Sequence, residues 1–141
     1  MTRFILLSLI VFCSSLNAQV TKADYYNKAL MKISDEFIKT NDSLGNYTFI
    51  VFSDDTQACK KDFDGSNFLV IDNKEEYANI IDLIMYSMCG HYIIANSSYS
   101  WWGSWLGNRN WDKIVIAPEL WFGIGYQFGG KNIPSKRFIK V

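Results

Sequence analysis

A short polar run with three tryptophans, Asn96–Leu106, contains the residues of this chain whose types and spacing best suit chemistry. It follows the apolar run Tyr92–Ala95. A strand that ends in small polar residues and opens into a helix is a common anion site. The first helical turn has unpaired N–H groups, and the helix dipole favours negative charge. We therefore predict a phosphate-binding corner with donors from Ser97, Ser98 and Ser100.

The same run also has a purely structural interpretation. Trp101 and Trp105 are four residues apart and share one helix face, while Trp102 and Leu106 share another. In this interpretation the tryptophans are core residues and the serines are ordinary helix caps. From the sequence alone, both interpretations stay open.

Two further polar groups are candidates for the same site. Ser53-Asp54-Asp55 follows an apolar, β-branched run and suits a ribose hydroxyl, a sugar or a cation; its alternative is a helix N-cap with acidic first-turn residues. Asp82 lies inside an apolar helix sequence and suits the edge of a guanine base, because a carboxylate there needs a partner or a wet cavity. Its alternative is a solvent-facing position. His91, the single histidine, is typical of a structural residue.

These residues need a scaffold, and the chain alternates predicted helices with predicted strands. The helices are expected at Asp24–Lys39, from Ser53-Asp54-Asp55 to Asp62, at Lys74–Cys89 and at Ser98–Leu106. The strands are expected at Tyr47–Phe52, Asn67–Ile71, Tyr92–Ala95 and Lys113–Ala117. This alternation predicts an α/β fold, a Rossmann-like parallel sheet with helices on both faces. Ligands of such sheets bind outside the carboxyl ends of the strands, so the candidate residues should share one rim.

Length and composition fit one domain. The chain has 141 residues, 49% of them hydrophobic, with 14 basic and 14 acidic side chains. This balance argues against a nucleic-acid partner, which usually requires a basic surface. Cys59 and Cys89 suit either a disulfide in an oxidising compartment or two buried thiols. The sequence has no clustered cysteines and histidines, so no metal site is predicted.

The N-terminal segment, residues 1–18, resembles a signal peptide, since Arg3 precedes a short apolar run and small residues follow. Cleavage is expected at Ala18-Gln19, which leaves residues 19–141 as the mature domain. A secretory-pathway location follows, with glycosylation at Asn41 and Asn46. The alternative is that Phe4–Phe12 forms a buried strand.

Several segments together resemble the α-1,2-fucosyltransferases of the galactoside 2-α-L-fucosyltransferase type. The matching segments are Phe49–Asp55, Asp82–Cys89, His91–Leu106, Lys113–Pro118 and Trp121-Phe122. The Asn-Ser-Ser-x-Ser-Trp-Trp-Gly run is the most specific of them. The resemblance extends from Asp24 to Phe122. It implies that residues 19–141 are part of a GT-B-type lobe that binds the donor.

The resemblance implies an inverting glycosyltransferase that moves L-fucose from GDP-fucose to a galactoside-terminated glycan, with no metal or other cofactor. It implies that Asp82 lies near the guanine and the serines of the corner near the diphosphate and fucose. The expected location is the Golgi lumen or membrane, or outside the cell if the signal is cleaved. The predicted substrate-binding residues are Ser53, Asp54, Asp55, Asp82, Asn96, Ser97, Ser98, Ser100 and Trp101.

The arginines depart from the family pattern. The family has a His-x-Arg-Arg-x-Asp motif upstream of the helix at Asp24, whereas the arginines here are Arg3, Arg109 and Arg137. Because arginine binds phosphate through two parallel hydrogen bonds, the difference bears on catalysis, and no catalytic residue is predicted. The acceptor-binding lobe is also expected to be missing. Three hypotheses stay open: a glycosyltransferase chain that is incomplete, a secreted module that binds GDP or GDP-fucose, and a truncated paralogue without function.

Overall fold

The computed structural model of the chain describes residues 3–8, 22–40, 47–109, 112–121 and 135–141. Its strands are β1 Arg3–Ser8, β2 Tyr47–Phe52, β3 Phe68–Val70, β4 His91–Ile93, β5 Val115–Ala117 and β6 Ile139–Lys140. Its helices are α1 Lys22–Lys39, α2 Thr56–Asp62, α3 Ala78–Ser87 and α4 Ser98–Gly107. The predicted elements are therefore present within a few residues of their expected bounds, and β6 is an addition.

The described strands form one parallel sheet in the order β3-β2-β1-β4-β5-β6. The chain runs outward from β1 to β3, returns through α3 to β4 on the other side of β1, and continues outward to β6. This is the order of a doubly wound α/β sheet, and the direction of winding changes between β1 and β4. The predicted α/β fold with a parallel sheet is confirmed.

The central strand β1 comes from the segment for which a signal peptide was expected. Arg3–Ser8 pairs in parallel with β2 along its whole length, and Ile5–Leu7 pairs in parallel with β4. The alternative interpretation, a strand, is thus the one that the structure contains. A short apolar run is typical of both a signal peptide and a buried strand, so the sequence pattern did not distinguish the two. Cleavage at Ala18-Gln19, which lies outside the described residues, would remove β1 from the middle of the sheet; both cleavage and the secretory-pathway location stay predictions.

Helices cover both faces of the sheet. On one face, α1 places Tyr26, Ala29, Ile33 and Phe37 against β2, β4 and β5. On the other face, Tyr86 of α3 packs with alternate residues of the same strands. Side chains of successive strand residues point to opposite faces, so the two sets of helices use different residues of each strand. None of the described helices combines the length and hydrophobicity that crossing a membrane requires.

The cysteines lie on opposite faces of the sheet. Cys59 of α2 belongs to the cluster beneath α1, and Cys89 belongs to the cluster beneath α3. Both are buried free thiols, so the buried-thiol interpretation is confirmed and the disulfide between them is wrong. Burial raises the pKa of Cys89 to about 11, against an opposing effect of Lys113.

Candidate functional site

The candidate residues meet at the carboxyl ends of the central strands. Ser8 of β1 pairs with Phe52 of β2, and Leu7 pairs with Ile93 of β4, so these three strands end at the same level. The segment after β2 and the segment after β4 therefore stand on either side of the end of β1. Adjacent strands are about 4.8 Å apart, which separates the two segments by roughly 10 Å. The predicted common rim is confirmed.

The turn from β4 into α4 has the geometry of an anion site. Ser97 is the N-cap of α4, with an extended backbone (φ −131°, ψ 133°). Its N–H donates to the Ala95 carbonyl at 2.8 Å, and its carbonyl accepts from the Trp101 N–H at 3.0 Å. Helix geometry leaves the N–H groups of Ser98, Tyr99 and Ser100 without intrahelical acceptors. They lie at the change of winding direction, where the helix dipole adds attraction for an anion.

We call this turn, Asn96–Ser100, the corner. Its serines differ in how exposed they are and in whether their hydroxyls are already hydrogen-bonded. Ser98 is exposed, whereas Ser97 is buried, and its side chain makes no capping hydrogen bond. The Ser100 hydroxyl is fully buried and lies 3.1 Å from the Ala95 carbonyl and 3.0 Å from the Ser97 carbonyl. The expected role of that hydroxyl as a phosphate donor is therefore corrected: it holds the turn together, and Ser100 offers its backbone N–H instead.

Contacts from other elements fix the corner in place. The Tyr25 hydroxyl, on the first turn of α1, donates to the Ile94 carbonyl, two residues before the corner. The Asn96 side-chain amide donates to the Trp121 carbonyl at 3.2 Å. Sequence reasoning did not single out Tyr25 for the site, because its contact with Ile94 joins residues that lie 69 positions apart. Asn96 has a supporting role here, since its amide holds the corner to the segment after β5.

Asp82 faces the same rim from α3. Its carboxylate accepts a hydrogen bond from the Asn73 amide at 3.1 Å and is half-buried. Tyr99, in the first turn of α4, donates to the Asn79 carbonyl of α3 at 2.7 Å. Burial, with the nearby Asp82 charge, raises the pKa of Tyr99 to about 12, so the phenol stays protonated at neutral pH. Asp82 is thus a half-buried side chain with a partner in Asn73, and it lies close enough to Tyr99, at the start of α4, for its charge to act on that phenol.

The Ser53-Asp54-Asp55 turn begins α2. The Asp55 carboxylate accepts from the Ala58 N–H at 3.0 Å, and the Ser53 hydroxyl accepts from the Asp55 N–H at 3.0 Å. The capping alternative is thus confirmed for Asp55, and Ser53 stabilises the turn. Asp54 is exposed at the rim beside them.

Asp72, which follows β3, forms ion pairs with two neighbouring lysines. Its carboxylate contacts Lys60 at 2.7 Å, Lys74 at 2.5 Å and the Thr56 hydroxyl at 3.2 Å. Hydrogen bonds from the two lysines hold the pKa of Asp72 well below its usual range. This group ties the start of α2 to the segment after β3.

Aromatic packing anchors α4 beneath the site. Trp101 is half-buried against the core and stacks on Trp105, with ring centroids 5.0 Å apart and 9° between the planes. The predicted sharing of one helix face is confirmed, and the packing supports a structural role for Trp101. Gly103 allows the close approach, since a Cβ there would lie 2.3 Å from the Tyr86 ring.

The positions of the arginines are as informative as those of the serines. Arg3 begins β1, Arg109 follows α4, and Arg137 precedes β6. In a parallel sheet with returning helices these three positions all fall at the amino edge, opposite the corner. Of the remaining candidates, His91 is structural, since its Nδ1 accepts from the Ile114 N–H at 3.1 Å. Asn41 and Asn46 lie outside the described residues.

Within the described ranges, no three of the His, Cys, Asp and Glu side chains come together as a metal site would require.

The sequence profile of glycosyl transferase family 11 matches residues 12–123. The chain therefore belongs to this family of glycosyltransferases, which is related to the α-1,2-fucosyltransferases that the motifs resemble. The match begins after β1 and includes the corner and Asp82.

Two relatives from Escherichia coli show the same relationship. The O-antigen biosynthesis glycosyltransferase WbnK is 42% identical over 104 residues, which cover 73% of this chain and 32% of that protein. An alpha-1,2-colitosyltransferase is 34% identical over 131 residues, covering 82% of this chain and 44% of that protein. The matched part of the chain thus spans 32% to 44% of the length of these relatives. No solved structure matches it.

Proposed function

We propose that this chain binds a guanosine diphosphate sugar at the start of α4 and serves as the donor-binding part of a glycosyltransferase. The main support is the position of the corner at the change of winding direction between β1 and β4, where doubly wound sheets bind nucleotides. In this proposal the N–H groups of Ser98, Tyr99 and Ser100 hold the diphosphate, and no metal is required. Membership of glycosyl transferase family 11 agrees with such a donor.

The base would lie beside Asp82. A guanine edge presents adjacent N–H donors, which a carboxylate accepts in pairs. Asn73 holds the Asp82 carboxylate by one oxygen, and this orients it toward the rim that α3 and α4 share. Asp54 is an exposed carboxylate two residues after the end of β2, beside the end of β1, and in this proposal it receives a sugar or ribose hydroxyl.

For the transferred sugar we propose L-fucose, given by GDP-fucose to a galactoside-terminated glycan. The support is the α-1,2-fucosyltransferase motif in Asn96–Leu106. The name of the colitosyltransferase relative adds colitose as the donor sugar to compare. In the expected GT-B arrangement, the acceptor glycan binds to a separate lobe. That lobe corresponds to the part of the two relatives that this chain does not match.

A second candidate function is donor binding without transfer. The three arginines at the amino edge favour it, because none is placed to meet a diphosphate at the corner. Removing one preorganised hydrogen-bond donor that stabilises a developing negative charge commonly lowers the rate of a reaction ~10²–10³-fold. Incubation of the chain with GDP-fucose and a galactoside separates the two candidates: release of GDP coupled to formation of a fucosylated product supports transfer, and binding without product supports the second.

The binding proposal is tested by removing one backbone donor. Ser98 is the first residue of α4, where proline fits the helix, and the extended backbone of Ser97 suits a residue that precedes proline. Ser98→Pro should therefore keep the fold while removing one N–H. We expect isothermal titration to show GDP binding to the native chain with a Kd of ~1 mM or tighter, which corresponds to ~4 kcal/mol. Ser98→Pro should weaken it at least ~10-fold, since a hydrogen bond to a charged group is worth ~1.5–3 kcal/mol.

The matched control is Ser98→Ala, which keeps the N–H and removes only the hydroxyl. We expect it to bind GDP more tightly than Ser98→Pro. The absence of any GDP binding to the native chain at millimolar concentration would refute the proposal, as would equal binding by native chain and Ser98→Pro.

A further inference from the structure

The outer surface of α3 and α4 is unusually apolar. Among the described residues, thirteen large apolar side chains are exposed, and nine of these lie between Tyr77 and Leu106. On α3, the exposed fraction is 56% for Ile84 and 77% for Met88. On α4, Trp102 and Trp105 continue the surface beside them. We call this surface the α3–α4 face.

Helix α3 has apolar residues both toward the sheet and away from it. Tyr86 is its one fully buried side chain, and Leu83 is half-buried. Tyr77, Ile80, Ile84 and Met88 recur every three or four residues on the outer side. A helix that is apolar all round is expected to be covered all round, whereas a surface helix turns a polar face to water. The sequence of α3 therefore fits a helix with a second packing partner.

We propose that the α3–α4 face joins two copies of this chain in a symmetric dimer. With side-chain areas of ~200 Å², the exposed fractions give the face on the order of 1,000 Å². This exceeds the ~300–600 Å² of the largest apolar patch on a typical monomer. It also reaches the ~800 Å² per partner of a standard stable interface. The area thus matches what a stable dimer needs.

The pattern of the face favours a second copy over a charged partner. The charged side chain of α3, Asp82, is half-buried and bonded to Asn73, whereas the exposed residues on either side of it, Ile80 and Ile84, are apolar. A straight stripe without charge is self-complementary when two such helices pair about a two-fold axis, because the same residues contact each other. Glu75 and Glu76 lie before the start of α3. In an antiparallel pair of α3 helices, the glutamates of one copy would therefore lie at the opposite end of the interface from those of the other copy.

Sedimentation velocity of the 141-residue chain from 1 to 100 µM tests the proposal. We expect the native chain to be a dimer and Ile84→Glu to weaken association at least ~100-fold, because it places an unpaired carboxylate in the interface. The matched control is Met31→Glu on α1, which replaces a side chain with a similar exposed fraction of 70% on the opposite face. It should leave the dimer unchanged. Far-ultraviolet circular dichroism checks that both variants are folded.

Cross-linking gives an independent measurement. In a Cys13→Ser background, Ile84→Cys should form a disulfide-linked dimer under mild oxidation with diamide, whereas Met31→Cys should not. The native Cys59 and Cys89 are buried and do not compete. A native chain that stays monomeric at 100 µM overturns the proposal. So does a dimer that Ile84→Glu leaves intact, or a monomer that instead floats with lipid vesicles, which would assign the α3–α4 face to a membrane surface.

Discussion

The two faces of the sheet are covered by helices that use their apolar residues in opposite ways. Helix α1 turns Tyr26, Ala29, Ile33 and Phe37 onto the sheet. Helix α3 turns Tyr86 inward and leaves its isoleucines exposed. Helical spacing of apolar residues therefore marks the core in one helix and a free surface in the other. The spacing shows which residues share a face, but only the neighbouring elements decide what covers it.

The largest expected difference between the two faces is in cavity formation. Ile33 is fully buried and Ile84 is mostly exposed. Ile33→Ala should lower the free energy of unfolding by ~2–5 kcal/mol, because it removes buried apolar volume. Ile84→Ala should change it by less than ~0.5 kcal/mol at low protein concentration, where the α3–α4 face is uncovered. Urea unfolding of both variants measures the contrast, and equal losses would contradict the assigned faces.

The next largest effect is expected at Gly103, where α4 packs closely against α3. Gly103→Ala should cost ~1–3 kcal/mol, since the added Cβ overlaps the Tyr86 ring. Gly65→Ala is the control, because Gly65 is exposed and its nearest neighbour is the end of the Asn67 side chain at 3.1 Å. Thermal unfolding should show a clearly larger decrease in Tm for Gly103→Ala. A similar Tm for the two variants would mean that the helices separate without cost.

A smaller effect links the α1 face to the corner. Tyr25→Phe removes the hydroxyl that donates to the Ile94 carbonyl and should cost ~1 kcal/mol. Hydrogen exchange of the Trp101 amide, which donates to Ser97, should become faster because the corner loses its support from α1. Tyr77→Phe, on the exposed outer side of α3, should change neither quantity. Unchanged Trp101 exchange in Tyr25→Phe would show that α1 does not position the corner.

The smallest effect is expected at Asp72. Its lysine partners lower its pKa in the folded state, so its contribution to stability is present above the ordinary aspartate value of about 4. That contribution is lost as the pH falls from there toward the lowered pKa. Asp72→Asn should therefore be slightly less stable than the native chain at pH 7, and the difference should shrink in acid. A difference that grows below pH 4 would contradict the ion pairs.

The order of elements could be predicted from the sequence because most of them have strong local signals. The spacing from Tyr26 to Phe37 and the continuous apolar run Tyr47–Phe52 each allow one assignment. The carboxyl-end rim followed from the alternation alone, since parallel strands bring their ends together. β6 was missed because its two residues, Ile139–Lys140, are too short to give a pattern.

Other features depend on tertiary contacts that local patterns do not contain. The apolar run Phe4–Phe12 favoured a signal peptide over a strand, and it was the pairing of Arg3–Ser8 with β2 and β4 that revealed a central strand. Ser98 and Ser100 are the same residue type in one short run. Their different roles come from the carbonyls of Ala95 and Ser97, which take up the Ser100 hydroxyl. The contact between Asn73 and Asp82 likewise depends on how α3 leaves the sheet.

The corner is held from both faces of the sheet, because Tyr25 supports it from α1 and Tyr99 ties it to α3. The most direct test of its function is a titration of the ¹⁵N-labelled chain with GDP, followed by the amide chemical shifts. We expect the largest shifts at Ser98, Tyr99 and Ser100, saturating together with smaller shifts near Asp82. Shifts that are absent from these amides, or that are largest elsewhere on the chain, would contradict the assignment of the corner as the diphosphate site.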